Sequence, residues 1–328
     1  MAREIISKLS EKQREAFESI DNGKILGATT HIKMIIDMIE DLSMNNDYSA
    51  KEKMEYIREL SRFFKDTRGN SSYAIVNALE YIEKSISEIE ENIEIEAYVK
   101  SVIANYLKQS EDDMKIISEL TGRVLEHAET IMLYDYSGTV EKAVCKINHP
   151  LKVIIPESRA IDGGKPFVKP VLKAGHKINF IPDVSILSVL KEVDAVLIGA
   201  ETYYPDGTAF NTVGSDILAE LCDTRHIPFY VLTPTLKCDK RSIHGIFKPV
   251  IYAELREKMT YNWDFNSSDV DFNSVELVSV DAKYITAYIN EYGIISPNNI
   301  FNIKAGEKNE SKSTCYDTAT AASRKLLK

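Results

Sequence analysis

Three short segments hold residues that could move protons or bind an anion. The run Ala195-Val196-Leu197-Ile198-Gly199-Ala200-Glu201 is apolar and ends on a carboxylate. A carboxylate that emerges from a central strand has a low-dielectric wall behind it, which raises its pKa and suits it to general acid or base chemistry. Glu201 could equally cap a helix or pair with a cation. The run Ile131-Met132-Leu133-Tyr134-Asp135-Tyr136-Ser137 has the same form, although Asp135 and Ser137 are also ordinary helix-start residues. If Asp135 and Glu201 face each other they compete for one proton, and their pKa values separate. The third segment, Val153-Ile154-Ile155-Pro156-Glu157-Ser158-Arg159, is followed by Gly163-Gly164-Lys165. Here a strand ends in a charged turn and a Gly pair opens a helix, so Arg159 and free helix-start amides could hold an anion. Arg159 could also be a solvated or salt-bridged surface group.

Other familiar chemistries find no support. The six histidines show no i,i+4 pair, and Cys145, Cys222, Cys238 and Cys315 lie far apart, so neither a metal site nor a disulfide framework is expected. Pro205-Asp206-Gly207 is a turn by its chemistry alone. There is no Gly-x-Ser-x-Gly elbow, no phosphate-loop Gly-Lys-Ser/Thr and no Gly-x-Gly-x-x-Gly after the first strand. Serine hydrolase, nucleoside triphosphatase and NAD dehydrogenase readings therefore fall away, and no cofactor is expected.

The elements that must position these residues follow two grammars. Up to about residue 125, apolar residues recur at helical spacing, as in Ile32, Ile35, Ile36, Ile39 and Leu42. Beyond about residue 128, short apolar runs alternate with helix-like segments. Strands are predicted at 130–134, 152–155, 177–181, 195–198 and 228–232, with helices at 139–146, 167–173, 185–192 and 215–225. The expected fold is α/β, with a helical N-terminal domain over residues 1–127 and a Rossmann-like, doubly wound parallel-sheet domain over 128–303. A flexible polar tail is expected over 304–328. Ligands of such a sheet bind at the carboxyl ends of its strands, which singles out Asp135, the Glu157-Ser158-Arg159 turn, Asp183, Glu201 and Thr233 to Lys237.

The 328 residues include 40 basic and 50 acidic side chains, a formal charge of −10. Such a surface repels phosphate backbones and anionic lipid, so no direct nucleic-acid binding is expected and any anionic ligand must be held by a few local cations. No window approaches the roughly 18 uninterrupted apolar residues of a membrane span. The opening Met1 to Lys8 is charged and leads into helix-period sequence, so a cytoplasmic location is expected.

Taken in order, these segments resemble the translation initiation factor 2B alpha/beta/delta subunits and their metabolic relatives, ribose-1,5-bisphosphate isomerase and methylthioribose-1-phosphate isomerase. The likeness rests on Gly27-Ala28, on Thr67-Arg68-Gly69-Asn70-Ser71 before Asn77-Ala78, and on Glu157-Ser158-Arg159. It continues through Gly199-Ala200-Glu201 with Asp206-Gly207, Asn211 and Gly214, then Pro228 to Val231 with Lys237, and the late Tyr284 to Pro297 segment. The resemblance implies a phosphorylated pentose or a nucleotide between the two domains, and a homodimer or larger oligomer formed through the C-terminal domain. By motif, Gly27 and Ala28 would line the ligand site, Arg68 and Arg159 would hold phosphate, and Asn211 and Lys237 would add polar contacts.

The departures from the family pattern are as informative. Asp135 stands where the isomerases carry a reactive Cys, and the nearest thiol, Cys145, lies well down the next helix. Glu201 replaces an Asp, as in the alpha subunit; Leu26 replaces an Arg; and Thr212 replaces a Lys. Two functions stay open. One is a regulatory or scaffold-like protein that binds a sugar phosphate; the other is an aldose-ketose isomerase that uses Asp135 and Glu201 as its acid and base.

Overall fold

The computed structural model describes residues 2–22, 24–25, 27–70, 72–87 and 94–303; the tail expected over 304–328 lies outside the described residues. Six helices come first: α1 (Ala2–Lys8), α2 (Glu11–Asp21), α3 (Ala28–Met44), α4 (Ala50–Thr67), α5 (Tyr73–Ser87) and α6 (Ile95–Val124). The stripe read from the sequence is the inner face of α3, where Ile32, Ile35, Ile36, Ile39 and Leu42 are all buried. A capping box between Ser49 and Glu52 starts α4 by satisfying two of its free amides. Phe17 of α2 packs against both Phe63 and Phe64 of α4, and Ile75, Leu79 and Ile82 of α5 complete the same core. The long α6 serves two cores: Val99, Val102 and Ile103 pack with the other helices, whereas Ile117 and Leu120 pack against the sheet.

The remainder runs β1 (Thr130–Leu133), α7 (Gly138–Val144), β2 (Lys152–Pro156), α8 (Lys165–Lys173), β3 (Lys177–Ile181), α9 (Ile186–Val189) and β4 (Ala195–Ile198). Next come β5 (Thr202–Tyr203), β6 (Ala209–Thr212), α10 (Ser215–Arg225) and β7 (Phe229–Leu232). The last elements are β8 (Tyr252–Glu254), α11 (Arg256–Met259), β9 (Asn273–Val275), β10 (Leu277–Val280), β11 (Ala287–Asn290) and β12 (Gly293–Ile295). The main sheet has the order β12-β11-β7-β4-β1-β2-β3 and is parallel except for the β11–β12 hairpin. Its six parallel strands follow the doubly wound order, reversing direction between β1 and β4. Every residue of β4 is buried, as a central strand covered on both faces requires.

All five predicted strands are present. The helix predicted at 185–192 is instead a short α9 between two 3-10 turns, Asp183–Ser185 and Leu190–Glu192. Two small antiparallel sheets, β10-β6-β5 and β8-β9, were not anticipated. Their strands are two to four residues long and include polar residues, so they carry no apolar run to announce them.

Candidate functional site

The strand order reverses between β1 and β4, which places Asp135 and the Gly199-Ala200-Glu201 turn at neighbouring carboxyl ends. In a doubly wound sheet this crevice is where a ligand fits. The backbone at this end is unusual. Asp135 has φ 59° and Ser158, after β2, has φ 49°, both in the left-handed region that a non-glycine residue seldom occupies. Strained residues of this kind gather at functional sites, where the surrounding structure holds them in place.

Asp135 is 6% exposed. Its Oδ2 accepts a 2.8 Å hydrogen bond from the Thr212 hydroxyl at the end of β6. Its Oδ1 is buried and has no hydrogen-bond partner among the described residues. Burial pushes the Asp135 carboxyl up to about 6; Thr212 and the Tyr136 amide oppose that rise, and the charges of Glu201 and Glu276 add to it. Small residues leave room for this arrangement. A Cβ added to Gly163 would overlap Asp135 Oδ1, one on Gly199 would overlap Ser137, and one on Gly214 would overlap the Tyr134 hydroxyl. Ser137 acts as the N-cap of α7, so capping accounts for Ser137 and not for Asp135.

Glu201 follows β4 and is half-buried, with its amide bonded to the Phe210 carbonyl at 2.8 Å. Lys237 closes the 3-10 turn Thr235–Lys237 after β7, and its ammonium donates to the Ala200 carbonyl at 2.7 Å. Burial lowers the Lys237 pKa, and the Glu201 charge partly restores it. An ammonium has three donors, and one of them goes to Ala200. Asn211, on β6, is buried and donates to the Ser215 hydroxyl at 3.1 Å. Thr212 bonds Asp135 and the Glu201 charge acts on both Asp135 and Lys237, so the ends of β1, β4 and β6 and the turn after β7 meet in one partly desolvated group.

The remaining anticipated residues have different surroundings. The Arg159 side chain is 47% exposed. Its guanidinium donates to the Lys258 carbonyl at 3.0 Å, pairs with Asp162 at 3.6 Å and lies over the Tyr261 ring at 5.6 Å. The amides of Ser158 and Arg159, which could have faced an anion, both donate to the Asp183 carboxylate at 2.8 Å. The amides of Gly163, Gly164 and Lys165 are likewise bonded within the turn. The expectation of free amides beside Arg159 is corrected accordingly: Asp183 supplies a protein carboxylate where a ligand anion was expected. Arg68 donates to the Ile20 and Asp21 carbonyls at the end of α2. Gly27 is the N-cap of α3 with φ 96°, a backbone conformation that glycine adopts readily, and Ala28 is the first residue of that helix.

Three participants escaped the sequence reading. Thr212 registered only as a missing Lys, yet it orients Asp135. Lys248 donates its amide to the Tyr204 hydroxyl at 2.6 Å; burial lowers its pKa while Glu201, Asp239 and Glu276 raise it. Glu276, just before β10, contributes negative charge to both Asp135 and Lys248. Lys248 and Glu276 lie in irregular connections far along the chain, where spacing carries no signal. Among the described residues no group of His, Cys, Asp and Glu is arranged to hold a metal ion. No described helix is long and apolar enough to cross a membrane.

A family model described as the initiation factor 2 subunit family matches residues 22–297. Ribose 1,5-bisphosphate isomerase of Methanocaldococcus jannaschii is 23% identical over 89% of this chain and 95% of its own length. A putative translation initiation factor eIF-2B subunit 2-like protein of Pyrococcus furiosus is 26% identical over 88% of this chain and 98% of its own. The structure of 5-methylthioribose 1-phosphate isomerase from Pyrococcus horikoshii OT3 superposes with a TM-score of 0.71 at 20% identity, covering 89% of this chain and 88% of that one. The fold likeness and the sequence match agree, and the chain belongs to the initiation factor 2 subunit family.

Proposed function

We propose that this chain binds a phosphorylated pentose or a nucleotide at the carboxyl ends of β1 and β4, in a regulatory or scaffold-like role. The observation that carries this reading is the buried, unpartnered Oδ1 of Asp135 in the same group as the partly desolvated Lys237. A carboxyl oxygen without a partner calls for a hydroxyl donor, and an ammonium at a low-dielectric crevice calls for an anion. A sugar phosphate supplies both. The family's isomerases, by resemblance, use a Cys that is absent here, which favours binding over turnover.

One observation favours turnover as a second reading. An Asp135 carboxyl with a pKa near 6, beside the charge of Glu201, is poised to exchange protons near neutral pH. In an aldose-ketose isomerisation Asp135, as the acid, would protonate the ring oxygen as its bond to C1 breaks while Glu201 takes the C2 proton to give an enol. Glu201 would then return that proton to C1 as Asp135 takes the proton of the C2 hydroxyl, which leaves the ketose and both carboxyl groups in their starting states. Assembly through the sheet-containing region is part of the proposal. Ile246, Phe247, Val250, Tyr252 and Phe265 all expose more than half of their surface there, more than a free monomer usually leaves uncovered in one segment.

The test is phosphorus NMR of the purified chain with ribose-1,5-bisphosphate, ribose-1-phosphate, methylthioribose-1-phosphate and AMP, followed over time. Line broadening without new resonances supports the binding role. Product resonances that vanish in Asp135→Asn and Glu201→Gln would establish the isomerase instead. Spectra unperturbed by all four compounds would overturn both.

A further inference from the structure

We propose that Asn77 is a positioning residue for Lys237: from the helical region it fixes the turn that carries the ammonium, and so sets how tightly the crevice holds an anion. The inference rests on the reading of Lys237 as an anion ligand and adds the element that controls it. Asn77 lies on the first turns of α5, and its side-chain amide donates to the Leu236 carbonyl at 2.7 Å and to the Cys238 carbonyl at 3.0 Å. A primary amide has two N–H donors, and these two bonds bracket Lys237.

The other hydrogen bonds on this turn come from the sheet-containing region, while the Leu236 side chain packs against the helical core. The Thr235 amide donates to the partly buried Glu291 carboxylate, and the Thr235 hydroxyl donates to the same group. The Thr202 hydroxyl donates to the Lys237 carbonyl at 3.2 Å, and the Asp239 amide to the Tyr203 carbonyl at 2.8 Å. Asn77 is joined on its own side by Tyr73, whose ring lies 4.4 Å beneath the Arg241 guanidinium. A turn held from both regions keeps its ammonium on the Ala200 carbonyl, whereas a turn held from one side can swing away. Any movement of α5 is transmitted directly to the Lys237 backbone.

The experiment uses the full chain and two readouts. Competitive acetylation across pH, read by mass spectrometry, reports the reactivity of Lys237 against the exposed Lys173. Calorimetry reports the affinity for ribose-1,5-bisphosphate. Asn77→Ala should move the Lys237 profile toward that of Lys173 and weaken binding about tenfold, as expected when two hydrogen bonds to one turn are lost. In a Lys237→Gln background the same change should alter affinity by less than about twofold, because the effect acts through Lys237. If Asn77→Ala does not fold, Asn77→Ser, with one smaller donor, carries the same expectations. An unchanged Lys237 profile, or an equal loss with and without Lys237, would overturn the proposal. A shifted profile in a chain whose parent binds no phosphate compound would retain the positioning role and remove the anion-site reading.

Discussion

Two cation-bearing turns flank the same end of the sheet, and they are built differently. The turn after β2 carries Arg159, whose guanidinium is about half exposed and already bonded to Lys258, Asp162 and Tyr261. The turn after β7 carries Lys237, whose ammonium is desolvated, donates to the Ala200 carbonyl and feels the charge of Glu201. A solvated, internally paired cation contributes little to recognition, while a desolvated one at a crevice contributes much. The motif made both turns look alike. The physical difference lies in what the rest of the chain brings to each.

If Asp135 is held charged at a cost for the sake of the ligand, removing that charge should stabilise the protein. Its folded pKa of about 6 lies above the ordinary 3.8, so the folded chain binds the proton more tightly than the unfolded chain. Stability therefore falls as pH rises from about 4 through about 6, by up to about 3 kcal/mol. Asp135→Asn should unfold later than the parent at pH 8, with the difference closing near pH 4, in urea melts across pH. A variant equally destabilised at both pH values would contradict the assignment.

Next in size, Lys237→Ala should weaken ribose-1,5-bisphosphate binding about a hundredfold, close to 2.7 kcal/mol, as expected of a partly desolvated charge-assisted contact. Calorimetry checks this, and a loss below threefold would sever Lys237 from the site. Thr212→Val removes a hydrogen bond that favours the charged carboxylate, so the Asp135 pKa should climb by about one further unit. Carboxyl NMR of the two chains across pH measures it, and a fall in that pKa would break the account. Smallest of all, Arg159→Ala should reduce affinity by less than about threefold, because its partners lie within the protein.

The sheet was legible because its strands are the few continuous apolar runs between turn signals, as in Ala195 to Ile198. Asp135 and Glu201 were legible for the same reason: once β1 and β4 are placed, the two or three residues after each must lie at the carboxyl end of the sheet. The helical face of α3 followed from spacing alone. What could not be read was the identity of each side chain's partners. Arg159 is bound by a carbonyl 99 residues later, Asp135 by a hydroxyl 77 residues later, and the Lys237 turn by an amide about 160 residues earlier. Such pairings are set by how the layers stack, and neither periodicity nor motif records them. The short strands β5 and β6, which bring Thr212 to Asp135, were hidden by the turn that joins them.

The most direct test of the central claim, that the crevice works through Lys237 and not through Arg159, is a calorimetric titration of ribose-1,5-bisphosphate into the parent, Lys237→Ala and Arg159→Ala. Binding by the parent, near-parent binding by Arg159→Ala and a loss of about a hundredfold in Lys237→Ala are expected. Retained binding in Lys237→Ala with loss in Arg159→Ala would place the anion on the other turn and contradict it.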